Sequence, residues 1–224
     1  MTLKETVLAR LREEDDFLSG EALAKQLNVS RQAVNKAVRA LSEDGYLIDR
    51  VNNRGYRLLS SNRVLDETAL RTRFKDVKFF SAKQVDSTNS AAYRLFAEGV
   101  RLPAFFAARS QTEGRGRLDR GFHSPDGEGL YFSLLLFPAA DAKETQTLID
   151  AVYDRTANAL GCSRNEQVLT VNGERAGGML VETVSDPDRI RAMIAGIGVY
   201  LRFFPCGETE IAARVLDALL PLSG

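Results

Sequence analysis

The stretch Ser30-Arg31-Gln32-Ala33-Val34-Asn35-Lys36-Ala37-Val38-Arg39-Ala40-Leu41-Ser42-Glu43 decides how the first quarter of the chain folds. Val34, Ala37, Val38 and Leu41 recur at helical spacing and form one apolar stripe. Ser30 stands where an N-cap belongs. Upstream, Val7, Leu8 and Leu11 follow Thr2, a second capping candidate. Ser19-Gly20-Glu21 opens a short helix carrying Leu23, Ala24 and Leu27, and Asn28-Val29 makes a turn. Downstream, Asp44-Gly45 ends the helix. Leu47–Val51 and Tyr56–Leu59 then flank Asn52-Asn53-Arg54-Gly55, the signature of a hairpin. Helix, helix, turn, helix and hairpin over residues 1–59 spell a winged helix-turn-helix domain. Ser60-Ser61-Asn62-Arg63 reads as the linker.

The polar face of the third helix carries Ser30, Arg31, Gln32, Asn35, Lys36 and Arg39, residue types that reach base edges and phosphates. Arg54 at the hairpin tip is placed to enter a neighbouring groove. Six basic residues (Arg31, Lys36, Arg39, Arg50, Arg54, Arg57) face three acidic ones (Glu43, Asp44, Asp49) between positions 30 and 57, a local excess of three positive charges. Operator DNA is the expected partner; docking to another protein is the competing use of such a module. One small module binds weakly, so a homodimer on two half-sites is expected.

Composition narrows the rest. The 224 residues are 44% hydrophobic and 27% charged, which suits a folded chain of one large or two smaller domains. Thirty basic and thirty acidic residues cancel, so attraction to nucleic acid must come from a local patch. No apolar run approaches the roughly 18 residues of a membrane span. The polar start does not read as a signal peptide. Cys162 and Cys206 lie far apart and read as packed, reduced thiols of a cytoplasmic protein. His123 is the one histidine, which removes histidine metal clusters and Ser-His-Asp triads. No metal ligands are assigned.

Residues 64–224 alternate helices and strands. Helices are predicted over 65–73, 90–98, 147–160 and 208–220. Strands are predicted over 77–80, 104–109, 130–137, 168–171, 179–182 and 194–203. This is a mixed sheet with helices on it, so the whole chain is an α+β protein. The segment Gln111-Thr112-Glu113-Gly114-Arg115-Gly116-Arg117-Leu118-Asp119-Arg120 follows a predicted strand. Its glycines allow close backbone approach, and its amides and arginines suit an anion such as phosphate. A Gly-Lys-Ser/Thr element is absent, so it is not a Walker loop.

Around that loop stand Asp86-Ser87-Thr88-Asn89, Phe122-His123-Ser124-Pro125, Gly129–Leu134, Gly173–Glu182 and Gly196-Ile197-Gly198. In this order, behind a winged helix, they resemble the bifunctional biotin protein ligase/biotin operon repressor family over nearly the whole chain. The resemblance implies a class II synthetase-like biotin/lipoate ligase domain over 64–224 that binds ligand and dimerises. It implies an ATP-dependent enzyme that makes biotinyl-5′-adenylate and passes biotin to a carboxyl carrier protein. Ser87, Thr88 and Asn89 would line the biotin pocket, and Gln111 would meet the ureido end. Gly114, Arg115, Gly116 and Arg117 would wrap carboxylate and phosphate. Arg120 and Phe122 would lie near the nucleotide, with Gly178 in the facing strand.

The chain departs from that pattern opposite the loop. The family's Lys-Trp-Pro-Asn-Asp is matched, without gaps from Gly178, by Arg164-Asn165-Glu166-Gln167-Val168. Valine replaces the aspartate and accepts no proton. Arg175 stands where the family has a lysine, and Arg164 and Arg175 remain the catalytic candidates. Val199-Tyr200 replaces an expected asparagine near the phosphates. The small C-terminal β domain of bacterial members is not expected here. Several changes around one centre favour a transcription regulator that binds biotin, biotinyl-5′-AMP or a related anionic effector, its ligase activity lost or weak. An active biotin-[acetyl-CoA-carboxylase] ligase that also represses, using ATP and magnesium on a biotin carboxyl carrier protein, is the alternative.

Overall fold

A computed structural model describes residues 2–14, 16–43, 46–51, 54–60, 65–117 and 120–223. The helix stop at Asp44-Gly45, the hairpin tip Asn52-Asn53, linker residues Ser61-Asn62-Arg63, and Leu118-Asp119 lie outside them. The chain forms two compact units, Met1–Leu65 with Cys206–Thr209, and Asp66–Pro205 with Glu210–Gly224.

In the first unit, α1 (Leu3–Glu13), α2 (Gly20–Gln26) and α3 (Arg31–Glu43) precede the antiparallel hairpin β1 (Leu47–Val51) and β2 (Gly55–Ser60). Thr2 and Glu5 close a capping box on α1, and Ser30 Oγ accepts the Ala33 amide at 3.1 Å. Val7, Leu8, Leu11 and Leu23 bury against the α3 stripe Val34, Ala37, Val38 and Leu41. Each of these valines and leucines contributes about 1.5–3 kcal/mol of burial, and Ala37 less. Leu18 makes an isolated antiparallel bridge to Tyr56 of the wing. Gly55 makes this possible. Its φ is +110°, and a Cβ there would stand 2.1 Å from the Leu18 carbonyl oxygen.

The second unit is built on a seven-stranded sheet ordered β3-β4-β5-β9-β8-β7-β6. Its strands are β3 (Lys78–Val85), β4 (Ala104–Gln111), β5 (Gly129–Leu136), β6 (Ser163–Asn165), β7 (Val168–Val171), β8 (Glu174–Ser185) and β9 (Ile190–Tyr200). Only β3 and β4 run parallel, because α5 (Thr88–Ala97) connects them; the other pairs are antiparallel. Every residue of β5 is buried, which explains its unbroken apolar sequence. Phe105 and Phe132 stack at 5.1 Å between ring centroids. Helices α4 (Glu67–Arg73), α6 (Thr145–Leu160) and α7 (Glu208–Leu219) complete the unit, α7 burying Ile211, Leu216 and Leu219. The winged helix followed by a mixed α+β unit is the architecture expected from the sequence. β6 was not expected, β3 runs five residues beyond its predicted end to Val85, β4 and β5 shift by one or two residues, and β8 and β9 also differ in extent. β8 begins five residues before the predicted start, running through Gly177 and Gly178, whose low strand propensity hides it. β9 ends at Tyr200, and Leu201–Phe203 form a 3₁₀ turn.

Candidate functional site

A cavity of about 110 Å³ opens where the N-terminus of α5, the end of β4, the glycine–arginine loop, β7, β8 and β9 converge. Of the residues assigned to the ligand, Ser87, Thr88, Asn89, Gln111, Arg115, Gly116, Arg117, Arg120, Phe122, Arg175 and Gly178 all line it. Gly114 does not. It lets the loop close, since its carbonyl accepts the Phe122 amide at 2.7 Å and a Cβ would lie 2.5 Å from the Phe122 carbonyl.

One end of the cavity rests on a continuous polar network. Thr88 donates its backbone N–H at 2.8 Å, and its hydroxyl at 3.1 Å, to Gln111 Oε1. Gln111 Nε2 donates to Ser124 Oγ at 2.8 Å. Ser133, fully buried in β5, lies 2.8 Å from Thr88 Oγ1 and donates to Asn89 Oδ1 at 2.6 Å. Asn89 Nδ2 donates to Glu182 Oε2 at 2.7 Å and to the Leu180 carbonyl at 3.2 Å. Both Nδ2 hydrogens of Asn89 are therefore engaged by the protein, and Oδ1 accepts from Ser133 with one lone pair to spare. Asp86, just before this helix, accepts a two-pronged contact from Arg94 at 2.8 Å. That contact holds the Asp86 carboxyl far below the usual carboxylate range.

The floor is glycine. A Cβ on Gly196 would lie 2.2 Å from Asn89 Oδ1, and one on Gly198 2.4 Å from the Phe122 ring. Both positions thus require glycine for close approach. Phe122 lies flat beside Tyr200, with ring centroids 5.9 Å apart and planes 4° from parallel. The Arg175 guanidinium carbon sits 5.5 Å from the Phe122 centroid. Four arginines, Arg115, Arg117, Arg120 and Arg175, are among the residues that line the cavity, and among the described residues no aspartate or glutamate is. That donor set fits an anion.

Gln167 and Val168 also line the cavity, so the segment read as replacing the catalytic element does face it. Gln167 Oε1 is buried without a hydrogen-bond partner among the described residues. Arg164 is not brought to the cavity. Its Nε donates to Asp154 at 2.6 Å, and its Nη1 donates to the Glu166 carbonyl at 3.1 Å. These two contacts hold the Arg164 side chain away from the cavity, contrary to the catalytic position expected of it. Sequence reasoning also missed Ser133 and the partners of Glu182. Ser133 was detectable as the one serine in an otherwise apolar and aromatic strand. Glu182, read as a strand-end carboxylate, lies inside β8 and also accepts Arg115 Nη2 at 3.2 and 3.4 Å. His123 is exposed in a loop, and Cys162 and Cys206 are free thiols, with burial pushing the Cys162 thiol up.

In the first unit, Ser30, Arg31, Gln32, Asn35, Lys36 and Arg39 are all exposed, opposite the buried stripe of α3. Arg54 does not extend from the wing. It lies 4.4 Å from the Phe17 ring centroid and pairs with Asp16 at 3.2 Å.

Two families match the chain: one described as HTH domain, over residues 4–57, and the biotin/lipoate A/B protein ligase family, over 81–197. The bifunctional ligase/repressor BirA of Bacillus subtilis is 30% identical over 219 residues, covering 91% of this chain and 67% of its own length. BirA of Escherichia coli K12 is 26% identical over 200 residues, covering 86% and 62%. The solved biotin protein ligase of Aquifex aeolicus, in complex with biotin and ATP, aligns at 25% identity and a TM-score of 0.48, covering 63% of this chain and 68% of that one. With a ligase-family match over more than half its length behind a helix-turn-helix match, the chain belongs to the biotin/lipoate A/B protein ligase family and carries an N-terminal DNA-binding unit.

Proposed function

We propose that the protein is a DNA-binding transcription regulator whose ligase-like unit is a receptor for biotin, biotinyl-5′-adenylate or a related anionic metabolite. One observation carries this reading: four arginines line a cavity that Val168, not a carboxylate, faces from β7. The arginines neutralise carboxylate and phosphate, each charge-assisted bond contributing about 1.5–3 kcal/mol. Ser87, Thr88 and Gln111 hold the uncharged, ureido end, Gln111 keeping one amide hydrogen for it. Val168 cannot take a proton from an attacking lysine. A binding site that survives without its base holds ligand and turns it over slowly. Exposed Arg31, Gln32, Asn35, Lys36 and Arg39 read operator DNA, and ligand-dependent homodimerisation of this cytoplasmic protein supplies the second half-site.

The cavity is smaller than the roughly 300–1,000 Å³ of a drug-sized ligand site. The glycine–arginine loop therefore moves to admit the ligand. The ligand shifts the dimer equilibrium only by its differential affinity for the two states. Calorimetry with biotin and with a non-hydrolysable biotinyl-adenylate, followed by operator titration with and without each, tests this. Micromolar or tighter binding that changes operator affinity is the expected result. Absence of binding by both ligands refutes it.

A bifunctional enzyme is the second reading, favoured by the names of the relatives, ligase/repressor. It requires Arg175 to do the work of a lysine, and another group to replace the carboxylate missing at Val168. ATP would bring its phosphates to Arg117, Arg120 and Arg175, and the carrier protein would then be a partner.

A further inference from the structure

The Arg115 guanidinium is already occupied. Its Nη2 donates to both oxygens of Glu182 at 3.2 and 3.4 Å, and its Nη1 to Ser90 Oγ at 3.0 Å. Glu182 is fixed in turn by Asn89, which is 3% exposed and pinned by Ser133 below it and Gly196 beside it. Arg115 thus stands as a wall between the arginine-lined cavity and a second one of about 330 Å³, bordered by Ser90, Tyr93, Glu182 and Thr183.

We infer that Glu182 is an internal carboxylate that competes with the ligand's anionic group for Arg115, and so sets how strongly the pocket holds an acid. The contact to Glu182 is long and made through one guanidinium nitrogen, with both side chains over a third exposed. A ligand carboxylate engaging Arg115 through two parallel bonds is shorter and stronger. The Glu182 contact is therefore strong enough to hold the loop in the empty state and weak enough to be displaced. The Asn89–Glu182 bond remains when Arg115 leaves, so the carboxylate stays in place to recapture the loop. Arg120 and Arg175 then meet an anion without giving up a carboxylate, Arg117 gives up only a loose, exposed pair with Glu166 at 3.8 Å, and Arg115 is reached through exchange.

This rests on reading the cavity as an anion site, and the test separates the two claims. Biotin and its uncharged methyl ester are titrated into the wild type and Glu182→Gln. The expected result is biotin held about three- to fivefold tighter by Glu182→Gln, the scale of one partly exposed ion pair. The ester's affinity stays unchanged, as a purely structural role would not predict. Biotin held equally or more weakly by the variant overturns the inference. In ligand-free protein, trypsin cuts after Arg115 several-fold faster in Glu182→Gln, with the melting temperature kept. An unchanged cutting rate overturns it even if neither protein binds biotin, the result that would sink the receptor reading alone. Should Glu182→Gln fail to fold, Ser90→Ala, which loosens Arg115 without touching Asn89, is cut faster and binds biotin more tightly if the inference holds. Equal cutting and binding refute it.

Discussion

Ser133→Ala tests whether the polar network below the cavity is a structural unit. The Ser133 hydroxyl is fully buried and bonds Asn89 Oδ1 at 2.6 Å and Thr88 Oγ1 at 2.8 Å. Removing it leaves Asn89 Oδ1 without its hydroxyl donor in a residue only 3% exposed. A buried acceptor left unpaired costs about 1–3 kcal/mol. The methyl group of alanine restores none of that. For a chain of this size each kcal/mol lowers the melting temperature by about 2–4 °C, so the ligase-like unit should melt about 2–12 °C lower. Differential scanning calorimetry on the full chain reads this. A double-mutant cycle with Asn89→Ala should then show coupling of about 0.5–3 kcal/mol, because the two substitutions break one shared bond. A Ser133→Ala protein melting with the wild type, or fully additive substitutions, would refute the network.

Three further perturbations probe the other surfaces. Arg31→Ala or Arg39→Ala should weaken operator binding by about tenfold or more in fluorescence anisotropy with the fold intact, since both side chains are exposed; unchanged affinity would displace the recognition face. Arg175→Ala should lower the affinity for an anionic ligand by about tenfold or more in calorimetry, while Arg164→Ala, held by Asp154 away from the cavity, should leave it unchanged. Asp86 is depressed by Arg94, so its contribution to stability is present above the unfolded carboxyl value near 4 and is lost as pH falls toward the lower folded value. Arg94→Gln should therefore melt lower than wild type at pH 7, by the effect of about 0.5–1 kcal/mol that suits a partly exposed pair, and the gap should narrow below about pH 4.

The helix-turn-helix was legible because α3 states its periodicity and its cap within fourteen residues. Its polar face came with it, since a buried stripe fixes what must point outward. Arg54 was not legible: its position in the wing is set by Phe17 and Asp16, far away in sequence. The same holds in the second unit. Thr88, Gln111 and the loop arginines lie in local motifs, whereas Glu182 finds Asn89 only after β8 has joined the sheet. Ungapped matching carries position along the chain but not where a side chain is held, and Asp154 on α6 together with the Glu166 carbonyl holds Arg164 away from the cavity. Val168, the first residue of β7, does reach the cavity.

The central claim is that the anion-binding wall remains while turnover has been lost. Pyrophosphate release from ATP, magnesium and biotin, measured at protein concentrations that calorimetry shows to be saturated with ligand, tests it most directly. Loss of even one transition-state contact costs about 10²–10³ in rate, and ordinary enzymes turn over about 10 times per second. Saturable binding with release slower than about 0.1 per second is the predicted result. Sustained release at about 1 per second or faster would show that the chain is a working ligase and contradict the receptor account.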